Sequence, residues 1–175
     1  MTVVIQHASS SEDYTAFGAL IKEYVDWCRE RYRTEAWFVE QVFGYQSLEM
    51  ELQSLPEVYG PPNGITLLAK VDGRVCGGGA YRRLGNSVCE MKRLFVEDKS
   101  KGRGIGRRLS TALIEAARAE GFKWMRLDTA NLLTEAIALY QSCGFQICDP
   151  YREYPKELMP FLVFMELRLT EAEKK

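Results

Sequence analysis

Glu90-Met-Lys-Arg-Leu-Phe-Val-Glu-Asp-Lys-Ser-Lys101-Gly-Arg-Gly-Ile-Gly106-Arg-Arg-Leu109 is the most informative segment of this chain. It reads as a strand, a charged loop with glycine at three alternate positions, and the opening of a helix. Glycine lets a backbone approach a ligand closely. The N–H groups of a helix's first turn, with the helix dipole behind them, favour an anion. Lys101, Arg103, Arg107 and Arg108 add positive charge there, although at 3.6 residues per turn not all can face one ligand. A phosphate or pyrophosphate is the expected partner. A Walker A loop would need glycine at 107 and lysine at 108, and both are arginine. A dinucleotide fingerprint matches at Gly102 and Gly104 but meets Arg107 at its last glycine. Asp128 does stand where a ribose-binding acid would, yet that fingerprint opens a parallel βαβ unit.

Upstream, the pattern is that of a β meander. Strands are expected over 65–71, 74–84 and 87–96, joined at Asp72-Gly73 and Gly85-Asn86. Before them come a strand over 3–7, Ser9 to Ser11 as cap residues, and helices over 12–33 and 36–55, ended by a loop rich in proline and glycine. Downstream come helix 104–120, strand 124–128, helix 132–142 and strands 145–148 and 161–169. This predicts an α+β domain spanning 1–175, built on a central mixed sheet.

Composition narrows the function. The 175 residues suit one domain with a sizeable core. Lys plus Arg total 23 against 24 Asp plus Glu, so the basic excess of a nucleic-acid binder is missing and no nucleic-acid partner is expected. The five cysteines, Cys28, Cys76, Cys89, Cys143 and Cys148, form no CxxC pair and read as buried reduced thiols. His7 is the single histidine, which leaves little for a metal site or a histidine-activated nucleophile. No apolar run of about 20 residues appears, and the N-terminus lacks a signal-peptide layout. A cytoplasmic protein without membrane contact or metal is expected.

Lys101-Gly-Arg-Gly104-Ile-Gly106 resembles the coenzyme A loop of the GNAT N-acetyltransferase superfamily, Gln/Arg-x-x-Gly-x-Gly/Ala, with Lys101 as the departure. Asp128-Thr-Ala-Asn-Leu-Leu-Thr-Glu-Ala-Ile-Ala-Leu-Tyr140-Gln-Ser-Cys-Gly-Phe145 resembles the family's second signature. Together the motifs cover roughly 64–150, while 1–60 agree only in element order. The resemblance implies a mostly antiparallel sheet of about seven strands flanked by about four helices. It implies acetyl-coenzyme A as cosubstrate and an amine as acceptor, here a small molecule by preference; homodimerisation stays open.

The resemblance also implies roles. Leu94, Phe95 and Val96 would offer backbone N–H groups to the acetyl carbonyl and the pantetheine arm. Gly102, Arg103, Gly104, Ile105, Gly106 and Arg107, with Lys101, would hold the pyrophosphate. Asn131 would touch the pantetheine arm or cap the following helix. Tyr140 would protonate the leaving thiolate. Glu90, eleven residues before Lys101, has the offset of a general base in the histone-acetylating branch; the plain alternative is a solvent-facing residue paired with Lys92 or Arg93. The aromatic first helices and the loop 149–155 would cover the acceptor, and Asp26, Glu30 and Glu35 would attract a cationic amine. Attack would be direct, with Glu90 or a water taking the proton. The other reading is a coenzyme A sensor without acceptor chemistry.

Overall fold

The computed structural model describes residues 2–170. Strand β1 (Val3–His7) leads into helix α1 (Ser11–Arg31). Ser10 caps that helix through a capping box: its hydroxyl accepts from the Asp13 N–H while Asp13 reaches back to the Ser10 N–H. Where one helix over 36–55 was expected there are three, α2 (Ala36–Tyr45), α3 (Leu48–Gln53) and α4 (Leu55–Tyr59). Ser47 breaks the first join by adopting a left-handed backbone, φ 54°, and Pro56 resets the second by occupying the first turn of α4. The described residues therefore hold six α-helices rather than about four.

The meander follows as β2 (Gly64–Val71), β3 (Arg74–Arg83) and β4 (Val88–Val96). Helix α5 (Ile105–Ala119), β5 (Trp124–Ala130), α6 (Thr134–Ser142), β6 (Gln146–Ile147) and β7 (Leu162–Arg168) complete the order. All seven strands join one sheet in the order β1-β2-β3-β4-β5-β7-β6. Every neighbour is antiparallel except β4 and β5. That exception is required because helix α5 carries the chain between them, and a crossover returns a strand parallel.

The side-chain period of two gives the sheet two distinct faces. Cys89, Met91, Met125, Leu127, Met165 and Leu167 pack with Ile105, Leu109 and Leu113 of α5. On the opposite face Phe17, Leu20 and Ile21 of α1 cover Leu68, Ala80 and Phe95. Near β5 and β7 that same face carries an aromatic cluster, Tyr32, Phe38, Tyr154 and Phe164. No helix of the described residues is long and apolar enough to cross a membrane.

Candidate active site

The parallel pair β4 and β5 is where the sheet opens. Its ladder runs through Val88↔Trp124, Cys89↔Met125 and Glu90↔Arg126 and then stops. Beyond it both strands continue, β4 to Val96 and β5 to Ala130, without pairing to each other. A bulge in β4 helps to set this fork. The β3–β4 register shifts between Gly78 and Ala80, and Arg93 takes φ 58°, a costly conformation for a side-chain-bearing residue. A buried partner holds it there: Arg93 donates Nε and Nη2 to Glu51 at 2.8 and 3.0 Å, and its guanidinium lies over the Phe43 ring. Burial alone would raise the Glu51 carboxyl; Arg93 outweighs it and the pKa is lowered.

A groove of about 490 Å³ runs from this fork to the N-terminus of α5. Ten of the residues expected to bind coenzyme line it: Leu94, Phe95, Val96, Lys101, Gly102, Gly104, Ile105, Gly106, Arg107 and Tyr140. Gly102 and Gly104 have φ of 76° and 71°, which explains the need for glycine. Their absent Cβ atoms would meet nothing, so the space above the loop is open. Arg107 donates to Ser142 Oγ at the end of α6, whereas Arg108 turns away to the Val3 carbonyl. The Lys101 ammonium lies 4.3 Å from the Trp27 ring centroid and pairs with Asp98.

Two expected residues lie elsewhere. Arg103 lines a separate depression with Arg74 and Lys99, not the groove. Asn131 lines neither the groove nor the chamber described next. Nor is it a cap, because α6 begins three residues later with Leu133 at its N-cap. Its amide instead accepts from Tyr32 Oη at 3.1 Å and donates to the Pro160 carbonyl at 3.2 Å, tying α1 to the segment before β7.

A smaller chamber of about 70 Å³ lies between the arms of the fork and α2. Tyr24, Leu94, Thr129 and Tyr140 line both it and the groove, so the two meet at Tyr140. Burial raises the Tyr140 phenol pKa, with the charges of Cys143 and Asp128 adding to it, so the hydroxyl keeps its proton at neutral pH. Inside the chamber Lys92 and Asp128, one from each arm, face each other with Nζ to Oδ1 at 3.4 Å. Tyr154 donates to Asp128 Oδ2 at 2.6 Å. Burial would raise the Asp128 carboxyl, yet Lys92 and Tyr154 lower it; burial also lowers the Lys92 ammonium despite Asp128.

Glu90 sits at the last paired position, below the fork, and lines neither cavity. The expectation of a solvent-facing residue paired with Lys92 or Arg93 is corrected: Glu90 is 0% exposed. Its carboxylate accepts from Arg82 Nε at 2.8 Å, from Tyr151 Oη at 2.9 Å and from Arg152 Nη2 at 2.7 and 2.8 Å. Arg82 is its cross-strand neighbour, while Tyr151 and Arg152 arrive from the loop before β7. Asp26, Glu30 and Glu35 line neither cavity; Arg29 takes Asp26, Arg33 takes Glu30, and Thr34 donates to Glu35.

Sequence reasoning named the loop that carries Arg152 and Tyr154 but missed Gln46, Glu51, Lys92 and Asp128 as parts of this site. Only strand parity gave a signal for some of them: residues 90, 92, 126 and 128 share a face once β4 and β5 are known to be parallel neighbours.

Comparison with known proteins agrees with this geometry. The family model described as acetyltransferase (GNAT) family matches residues 22–145. An uncharacterised N-acetyltransferase of Schizosaccharomyces pombe is 32% identical over 166 residues, 91% of either chain. Among solved structures, a protein assigned as an acyl-CoA N-acyltransferase from Klebsiella pneumoniae superposes with a TM-score of 0.73 at 26% identity, covering 97% of this chain and 99% of that one. The fold also matches the PaiA N-acetyltransferase of Thermoplasma acidophilum, solved with coenzyme A, at a TM-score of 0.72 and 18% identity, covering 96% of this chain and 99% of that one. A forked parallel pair, a glycine loop opening a helix and a matching family model over most of its length make this chain a member of the acetyltransferase (GNAT) family.

Proposed function

We propose that this protein transfers the acetyl group of acetyl-coenzyme A to the amine of a small molecule by direct attack. The observation that carries this is the meeting of two cavities at Tyr140. The groove over the glycine loop suits a pyrophosphate and an extended arm. The chamber behind it suits a small acceptor. Over Leu94 to Val96, β4 is paired to β3 on one edge only, and backbone N–H on its open edge is suited to the acetyl oxygen. The amine nitrogen forms a bond to the carbonyl carbon, the C–S bond breaks, and the thiolate takes a proton from Tyr140. Of the two proton acceptors expected for the amine, the geometry supports a water over Glu90, whose two oxygens already serve three donor side chains.

Thermal unfolding with acetyl-coenzyme A, NADH or ATP tests the reading. A ligand at about 100 times its Kd adds about 2.7 kcal/mol of stability. A rise in midpoint with acetyl-coenzyme A alone, followed by thiol release with an amine, is expected. A rise without thiol release from any amine would leave only a coenzyme sensor; a rise with NADH instead would remove the coenzyme A assignment.

A further inference from the structure

The inner chamber contains two polar groups with unused hydrogen-bonding capacity. Gln46 donates Nε2 to Tyr154 Oη at 2.9 Å, and Tyr154 commits its own proton to Asp128. That order of donors fixes the amide: Tyr154 has no second proton to give, so Gln46 must face it with nitrogen. The Gln46 Oε1 is therefore turned elsewhere, and it is buried without a donor among the described residues. Lys92 is the complementary case. Its ammonium carries three donors, its side chain is 5% exposed, and its hydrogen bond to Asp128 is long at 3.4 Å. Buried donors and acceptors in native folds are normally matched.

Charge points the same way. Arg82, Lys92 and Arg152 face Glu90 and Asp128, three cations against two carboxylates. Their neighbours do not correct this, since Arg93 is matched by Glu51 and Arg126 by Glu166. One more anionic group would balance the cluster and occupy the free donors of Lys92. An N–H beside it would satisfy Gln46.

We propose that the acceptor is a small amino acid, whose carboxylate is received by Lys92 while Gln46 Oε1 accepts an N–H of the amine to be acetylated. This rests on the acetyl-transfer reading above and adds the substrate class to it. Neither residue does chemistry; both position the acceptor.

The test compares matched pairs, such as alanine against ethylamine and serine against ethanolamine. Both kcat/KM by thiol release and Kd by calorimetry in the presence of coenzyme A are measured. A charge-assisted hydrogen bond in a buried site predicts a preference of about tenfold or more for the carboxylate-bearing member. In Lys92→Met, checked for folding by urea titration, the ratio between pair members falls towards one. The unmodified protein decides the matter even if that variant does not fold. Equal values within pairs, preference for the plain amine, a ratio unchanged in Lys92→Met, or no binding of any pair would overturn the proposal. Efficient acetylation of plain amines would do so while leaving acetyl transfer standing; failure of the acetyl-coenzyme A thermal shift would instead remove the transfer reading itself.

Discussion

Tyr140 and Glu90 illustrate how environment divides two residues that sequence places in one mechanism. Tyr140 stands at the junction of groove and chamber, with a pKa raised by burial, and is suited to give a proton rather than to hold a charge. Tyr140→Phe is expected to lower kcat by about tenfold to a hundredfold, at or below the usual range for acid–base assistance. Its thermal shift with acetyl-coenzyme A should persist; unchanged kcat would exclude Tyr140 from the chemistry. Glu90 is an anchor for Arg82, Tyr151 and Arg152. Removing one partner from a buried ion-pair network costs about 3–5 kcal/mol, so Glu90→Gln should lose stability on that order in urea titration, the exposed parts of Arg82 and Arg152 tempering it. The acidic limb of its kcat/KM–pH profile should remain. Disappearance of that limb would identify Glu90 as the base after all.

At the level of elements, the groove depends on two backbone irregularities. One is the left-handed Gly104 that starts α5. A Cβ there meets no protein atom, so Gly104→Ala carries only the backbone cost, about 1–2 kcal/mol. Coenzyme affinity should fall as well, since the methyl group projects into the space above the loop; calorimetry with acetyl-coenzyme A measures this. The other is the bulge at Arg93, which keeps its strained backbone because Glu51 on α3 binds the guanidinium. Glu51→Ala strands a buried cation and should cost about 3–5 kcal/mol by denaturant titration. If stability is kept, the bulge does not depend on that pair.

For the molecule as a whole, buried carboxylates make stability depend on pH. Glu51 and Asp128 both have folded pKa values below their ordinary ones of 4.5 and 3.8. The unfolded chain therefore takes up protons first, and the stabilisation, complete above the ordinary values, is lost as pH falls through the lowered folded ones. Urea midpoints should hold from neutral pH to about 5 and then drop steeply. A midpoint that stays flat down to pH 3 would mean these ion pairs contribute nothing net.

Much of this protein was legible in the residues taken alone. Alternation, hairpin turns and helical spacing placed all seven strands, and the glycines at 102, 104 and 106 identified the groove, because those signals are local. The single helix expected over 36–55 was misread, since nothing local announces the left-handed backbone at Ser47. The role of Asn131 was also out of reach: its amide is held by Tyr32 and Pro160, about 100 and 30 residues away in the chain. Only the tertiary structure decided which charges meet. Glu90 with Arg152, Arg93 with Glu51 and Asp128 with Tyr154 are joined across 62, 42 and 26 residues. Sequence by itself determined the strands and the glycine loop that opens α5, through backbone preferences that act over a few residues. The inner chamber depended on the fork between β4 and β5 and on side chains converging from α1 and α2, and such convergence exists only once the chain is folded.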